Sequence, residues 1–200
     1  MSTFLIFVYS LLFVQSDDLL EMIQEKYDDA KSIKISFKQE TQFKLTDISS
    51  ETRGVFWFKK EHSYKFETEE RVLVTNGTDS WEFNKSSKQV LINDYNESAS
   101  SPKDFLFSYK KNYHSEHLEE NDDIHIIKLF PKKGVRTSDE YLKLWIDEDK
   151  EVITRIEQYK LNGNVVVFTI ESVSFDEGFS ENDFVFSVDE TLHHVVDMRF

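Results

Sequence analysis

The sequence predicts an α+β domain built mainly from antiparallel β-strands, with one helix at its start. Apolar and polar residues alternate in short runs along most of the chain, which is the two-residue period of a half-buried strand. The dipeptides Asn76-Gly77 and Asn162-Gly163 each separate two such runs and are typical of a tight hairpin turn. Because nearly all connections are short, an antiparallel meander is favoured over alternating strands and helices.

The first sixteen residues differ from the rest of the chain. Residues 4–14 form an apolar run that is too short to span a bilayer. Val14-Gln15-Ser16 then offers a small residue for cleavage. We therefore expect residues 1–16 to be an export signal that is cleaved, and residues 17–200 to form one exported domain. No Lys or Arg precedes the run, so the alternative is an uncleaved anchor or a buried helix.

Composition excludes several classes of function. The 200 residues include no cysteine, so disulfides, thiolate catalysis and cysteine-ligated metals are excluded. With 38 acidic and 24 scattered basic residues the net charge is -14, which argues against nucleic-acid binding and predicts repulsion from anionic lipid surfaces. The 18 phenylalanines fit either a Phe-rich core or a concave apolar binding surface.

The elements are predicted in the following order. An amphipathic helix covers residues 17 to about 31, because Leu19, Leu20, Ile23, Tyr27 and Ala30 recur at helical spacing. The acidic run 116–123 is expected to be a solvated loop. Strands are predicted at residues 33–37, 55–58, 64–66, 72–75, 80–83, 124–130, 141–146, 152–159, 165–175 and 184–186.

A short second helix is predicted after the polar segment 93–101. Pro102 suits a first helical position, and Asp104 follows close behind it. Such a short apolar helix within a meander is typical of a lid over the sheet. The alternative is a capping helix that closes one mouth of the barrel.

Histidine spacing is the strongest sign of possible catalysis. His114 and His117, with Glu116 and Glu119 nearby, could form a metal-dependent hydrolase site only if this stretch were helical, because residues three apart on a strand face opposite sides. The chain has no G-x-S-x-G elbow, H-E-x-x-H helix or Gly-rich phosphate loop. We therefore predict a binding protein that is not an enzyme and that uses no metal or other cofactor.

Several short motifs follow the predicted first helix in a fixed order. They are Phe37-Lys38-Gln39, the aromatic strand from Gly54 to Glu61, Tyr64-Lys65-Phe66-Glu67, the hairpin from Val74 to Trp81, Gln89-Val90, Pro102 with Phe105-Leu106-Phe107, Phe184-Val185-Phe186 and Val195-Val196-Asp197. This ordered set resembles the outer-membrane lipoprotein carrier family (LolA) over nearly the whole mature chain. No single motif is specific, and the order carries the resemblance.

The resemblance implies a half-open, unclosed β-barrel whose concave face is covered by the lid helix. It further implies a monomeric periplasmic chaperone that shields the acyl chains of lipoproteins and carries them from the inner to the outer membrane. Its partners would be acylated lipoproteins, an inner-membrane ABC-type lipoprotein-releasing complex and an outer-membrane lipoprotein receptor. A lipid-sensing regulatory domain of the same shape, also periplasmic and non-enzymatic, is the alternative.

The resemblance also assigns roles to particular side chains. The basic residue that holds the lid in the family is commonly Arg, and Lys60 stands in its place here, which removes the planar fork of donors. Glu61 replaces the Pro that usually follows. The expected lining of the lipid cavity is Phe56, Phe58, Tyr64, Phe66, Trp81 and Phe83, and the expected lid residues are Phe105, Leu106 and Phe107.

Overall fold

The computed structural model describes residues 16–59, 62–96, 109–121 and 123–199. Helix α1 spans Ser16–Asp29, the single-turn helix α2 spans Tyr109–Asn112, and a 3₁₀ helix spans Glu181–Phe184. The strands in these residues are β1 Ser32–Phe43, β2 Ile48–Lys59, β3 Ser63–Thr68, β4 Arg71–Asn76, β5 Asp79–Asn84, β6 Gln89–Asp94, β7 Tyr113–Asn121, β8 Ile124–Pro131, β9 Asp139–Asp147, β10 Val152–Lys160, β11 Val165–Phe175 and β12 His194–Asp197.

All twelve strands of the described residues belong to one sheet, in the order β12-β6-β5-β4-β3-β2-β1-β11-β10-β9-β8-β7. Strands β1 to β6 form one antiparallel meander and β7 to β11 form another, and the two join where β1 pairs with β11. Strand β12 pairs with β6 in parallel. Because β12 and β7 are the two edges, the sheet is unclosed, which confirms the predicted mainly antiparallel, half-open fold class.

The first helix and both Asn-Gly hairpins are confirmed. Gly77 and Gly163 have φ angles of 86° and 82°, a left-handed conformation that glycine adopts without strain. The Asn76 side-chain oxygen accepts hydrogen bonds from the backbone N–H groups of Thr78 and Asp79, at 2.9 and 2.8 Å. These local bonds explain why the turn residues alone predicted the hairpins.

Two local predictions are wrong. Residues 116–121 belong to β7 rather than to a solvated loop, because their backbone pairs with β8 at the edge of the sheet. Residues 184–186 are not a strand, because Phe184 ends the 3₁₀ helix, whose start is fixed by hydrogen bonds from Ser180 to the Asp183 carboxylate. In addition, no strand was predicted at β12, which extends the other edge.

Several predicted features lie outside the described residues. These are the export signal before Ser16, the lid residues Phe105, Leu106 and Phe107, and the basic residue Lys60 with its neighbour Glu61. Among the helices that are described, none has the length and apolar character needed to cross a membrane.

The two faces of the sheet follow from the strand register. Paired residues of neighbouring strands share a face, and successive residues alternate between faces. We call the face that contains Ile33, Ile35 and Phe37 the inner face, and helix α1 packs against it. The opposite side is the outer face, and part of it is covered by the segment that connects β11 to β12.

Candidate functional site

Helix α1 covers one end of the inner face. The apolar side of this helix, predicted from its periodicity, joins the same buried cluster as the inner-face residues of β1, β2, β8, β9 and β10. The Tyr27 ring meets Phe175 edge to face at 5.4 Å. Lys26 fixes the end of the helix by donating hydrogen bonds to the Lys150 carbonyl oxygen and the Glu151 carboxylate, at 2.7 and 3.0 Å. This end of the inner face is therefore closed by the helix.

Three phenylalanines meet farther along the inner face. Phe37 stacks on Phe66 at 5.3 Å between ring centroids and meets Phe168 edge to face at 5.7 Å. The Phe37 ring lies over Gly54, where a Cβ atom would come within 2.5 Å of the Phe37 Cζ atom. Because Gly54 has no side chain, the Phe37 ring can lie directly against the backbone of β2. We call Phe37, Phe66 and Phe168 the aromatic centre.

Four of the six predicted lining residues share this face. Phe56 pairs with Phe66 across β2 and β3, and Phe58 pairs with Tyr64. All four are buried and belong to the cluster that contains α1. The structure therefore brings Phe56, Phe58, Tyr64 and Phe66 together on one surface.

The prediction that Trp81 and Phe83 share the same surface is wrong. Trp81 pairs with Val74, and Phe83 pairs with Val72, whereas the inner-face residue of β4 is Leu73, which pairs with Phe66. Trp81 and Phe83 therefore point to the outer face and belong to a second cluster. The strand register decides this, because the pairing of β3 with β4 determines which residues of β4 and β5 point to the inner face.

The second cluster is closed by the chain itself. Phe184 is completely buried there, and Phe179, Phe186 and Val188 pack around it. The Phe83 ring lies 5.1 Å from the Phe186 ring. This outer cluster is a core between the sheet and the segment that follows β11.

Sequence reasoning missed several residues of the inner face. Leu73, Phe168 and Ile170 are half-buried and pack against the inner cluster. The alternation of β1 identified Phe37 as a core residue, but only the pairing of β1 with β11 places Phe168 and Ile170 on its face. Arg71 lies over the Phe66 ring at 5.8 Å and adds a cation at the rim.

Tyrosines flank the segment in which the lid was predicted. Tyr95, just after β6, is half-buried against the inner cluster, and Tyr109, which begins α2, is buried within it. Burial, together with the neighbouring Tyr27 and Tyr113 hydroxyls, raises the pKa of Tyr109 well above its ordinary value. Burial likewise raises the pKa of Tyr27 to about 12. A phenol is neutral at physiological pH even at its ordinary pKa, and burial makes ionisation of both tyrosines still less favourable.

Two buried polar atoms of the inner cluster region have no hydrogen-bond partner among the described residues. They are the Tyr109 hydroxyl and the Gln158 side-chain nitrogen. Gln158 pairs with Leu142 across β10 and β9, which places it on the inner face. Unpaired buried polar groups are costly, so these atoms are positions at which a bound polar group would be stabilised.

The histidine pair does not form a two-point metal site. Both residues lie on strand β7, where His114 pairs with Phe130 and His117 pairs with Ile127, so their positions face opposite sides of the sheet. The His114 ring instead stacks on Phe130 at 5.2 Å. Within the described part of the chain, no group of three or more metal-ligating side chains comes together.

The geometry describes an unclosed sheet with a largely apolar inner face and a helix across one end. The family model of the outer membrane lipoprotein carrier protein LolA matches residues 28–187. The chain belongs to the LolA family. This confirms the family predicted from the order of motifs, a family that includes lipoprotein-binding and lipoprotein-sorting proteins. No curated protein sequence matches this LolA-family chain.

Solved structures similar to this LolA-family protein are distant in sequence. An uncharacterized conserved protein from Thermus thermophilus is 9% identical, with a TM-score of 0.58 over 90% of this chain and 98% of that chain. A LolA superfamily protein from Nitrosomonas europaea is 14% identical, with a TM-score of 0.45 over 87% and 99%. Lipoprotein LppX from Mycobacterium tuberculosis is 11% identical, with a TM-score of 0.38 over 83% and 99%. The Thermus structure supports the fold alone.

Proposed function

We propose that this protein is a periplasmic chaperone that shields the acyl chains of lipoproteins on its inner face and carries them from the inner to the outer membrane. The observation that carries this proposal is the aromatic centre, an apolar patch on the inner face of an unclosed sheet. Membership of the LolA family supports the same reading. No catalytic step is part of the proposal.

Transfer energetics explain why such a carrier needs this surface. Each buried CH₂ group contributes about 0.8 kcal/mol, so exposing the acyl chains of a lipoprotein to water costs roughly tens of kcal/mol. An apolar, aromatic-lined surface offsets that cost.

The residues proposed to contact cargo are those of the inner face that α1 does not bury completely. Phe168, Leu73 and Ile170 are half-buried, and Phe66 lies beside them. Phe56, Phe58 and Tyr64 continue the same surface toward the helix. Trp81 and Phe83 are left out of the proposed cavity because they face the other cluster.

The proposed partners are proteins that handle lipoproteins in the inner and in the outer membrane. An ABC-type releasing complex in the inner membrane would load the carrier, and a lipoprotein receptor in the outer membrane would unload it. The carrier is proposed to act as a monomer between them. A moderate affinity is required for this cycle, because cargo that binds too tightly is not released.

Native mass spectrometry of the purified protein, followed by lipid extraction, tests the proposal. We expect wild-type protein to carry bound acylated protein or fatty-acyl material. Replacing Leu73 by Glu places a charge beside Phe66 on the inner face and should abolish this bound mass. Leu73→Met conserves volume and apolar character and should retain it.

Thermal unfolding of both variants separates binding from folding. Leu73 is half-buried, so a cooperative transition is expected for each. Wild-type protein that carries no acyl material, and does not release lipoproteins from spheroplasts, would contradict the carrier role. Equal acyl content in the Glu and Met variants would contradict the inner face as the binding site.

A further inference from the structure

Two adjacent hairpin turns at one end of the sheet expose large apolar side chains. Leu45 in the turn between β1 and β2 is 93% exposed, and Ile48 at the start of β2 is 61% exposed. Leu161, in the turn between β10 and β11, is 70% exposed. Single exposed apolar residues are common on protein surfaces, but three on two adjacent turns form a patch that needs an explanation.

The turns are held together as one surface. The Lys44 backbone N–H donates a hydrogen bond to the Asn164 side-chain oxygen at 3.1 Å, which joins the β1–β2 turn to the β10–β11 turn. The Leu161 backbone N–H donates a hydrogen bond to the Ser138 carbonyl oxygen at 2.8 Å, which joins the β10–β11 turn to the β8–β9 turn. A groove of about 460 Å³ lies between the β1–β2 and β10–β11 turns, lined in part by Phe43, Ile48 and Val165.

We call residues 43–48, 132–138 and 161–164 the tip surface. Its charge is opposite to that of the whole chain. It contains four basic residues, Lys44, Lys132, Lys133 and Arg136, against one acidic residue, Asp47, whereas the net charge of the protein is -14. Lys44, Lys133 and Arg136 are exposed. A local excess of positive charge beside exposed leucines is the pattern that attracts an anionic lipid surface.

A row of aromatic rings lies just behind the tip surface on the outer face. Phe130 and Tyr141 have ring centroids 6.1 Å apart, and Tyr141 stacks on Tyr159 at 4.3 Å. The Lys128 ammonium lies 3.9 Å from the Tyr141 ring centroid. Because Tyr159 precedes Leu161 by two residues, the row lies about 7 Å behind the tip along the strand. Tyrosines at this depth are typical of a membrane–water interface.

We propose that the tip surface docks the protein on a bilayer that contains anionic phospholipid. Leu45, Ile48 and Leu161 enter the interfacial region, and the basic side chains contact lipid phosphates. The acidic remainder of the protein is repelled, so the interaction fixes an orientation instead of adsorbing the whole surface. This inference goes beyond cargo carriage and does not depend on it, since none of the tip residues lies in the inner cluster.

Vesicle co-sedimentation at low ionic strength tests the proposal. Wild-type protein should bind vesicles of phosphatidylcholine with phosphatidylglycerol more tightly than vesicles of phosphatidylcholine alone, and added salt should weaken the binding. Lys133→Glu with Arg136→Glu should weaken binding at least about twenty-five-fold, at roughly five-fold per cation removed. Leu45→Ser with Leu161→Ser should weaken it about ten-fold or more.

Matched controls sit at the opposite end of the strands. Lys31→Glu with Lys34→Glu changes the net charge by the same amount, and Met198→Ser removes an apolar side chain that is 50% exposed. Both should bind as wild type does. No vesicle binding by wild-type protein, equal losses in the control charge variant, or unchanged binding of the leucine variant would each overturn the proposal. Binding of the tip to another protein without vesicle binding would also overturn it.

Discussion

The inner and the outer face of the sheet each carry an apolar cluster, yet the two clusters are covered in different ways. On the outer face, Trp81 and Phe83 lie beneath a segment of the same chain, with Phe184 completely buried at its centre. On the inner face, α1 closes one end, while Leu73 and Phe168 remain half-buried at the other. An apolar face sealed by its own chain is a core, and one left partly uncovered is a candidate binding surface.

The largest expected loss of stability follows from a substitution in the outer cluster, which the chain itself covers. Phe184→Ala removes a completely buried ring and should lower the free energy of unfolding by about 3–5 kcal/mol. Urea denaturation measures this loss. Binding of a fluorescent fatty-acid probe by the folded fraction should not change. A variant that loses probe binding while remaining fully folded would show that the two faces are not functionally distinct.

A smaller effect is expected where the aromatic centre meets the backbone. Gly54→Ala places a Cβ atom 2.5 Å from the Phe37 Cζ atom and 2.7 Å from the Glu67 carbonyl oxygen. The ring can rotate away but the carbonyl cannot, so the variant should lose about 1–3 kcal/mol of stability. It should also weaken probe binding by displacing Phe37. Unchanged urea midpoint and probe affinity would show that this close approach does not shape the inner face.

The half-buried part of the inner face should contribute less to stability than to binding. Leu73→Ala should lower the free energy of unfolding by about 1 kcal/mol, because only part of this side chain is removed from water. Probe affinity should fall measurably in the same variant. The opposite result, a loss of several kcal/mol with intact affinity, would make Leu73 an ordinary core residue.

The smallest expected effect on stability concerns an ion pair at the turn between β9 and β10. The Asp147 carboxylate accepts hydrogen bonds from the Lys150 ammonium at 2.6 Å and from its backbone N–H at 3.0 Å, and these bonds lower the pKa of Asp147. A lowered folded-state pKa stabilises the protein above the unfolded pKa of about 3.9, and this contribution is lost as the pH falls. Because Lys150 is mostly exposed, the amount is below about 1 kcal/mol.

Asp147→Asn therefore should cost less than about 1 kcal/mol at pH 7, and the difference from wild type should vanish near pH 2. Urea denaturation at both pH values checks the sign. A difference that grows on acidification would contradict the assignment of the lowered pKa to the Lys150 contacts.

Local chemistry was readable from the sequence. The Asn-Gly turns bring their own hydrogen bonds and positive φ angles, and the helical period of Leu19, Ile23 and Tyr27 identified α1 before any partner was known. The order of motifs then led to the correct family.

The pairing and register of the strands could not be predicted from the sequence. Trp81 and Phe66 have the same aromatic character, and only the pairing of Phe66 with Leu73 and of Trp81 with Val74 separates them by face. The charged run 116–121 looked like a loop because its composition is polar. It forms an edge strand, where charged side chains are favoured since they discourage pairing with other molecules.

Site-specific photo-crosslinking distinguishes the inner face from the outer face as the surface that binds acyl chains. A photoreactive phenylalanine derivative replaces Phe168 on the inner face or, in the matched protein, Phe83 on the outer face, both half-buried in the structure. Each protein is irradiated with a purified acylated lipoprotein and with the same lipoprotein lacking its acyl chains. We expect an acyl-dependent crosslink from position 168 and none from position 83. Crosslinking from position 83 alone, or crosslinking from position 168 that does not require the acyl chains, would contradict it.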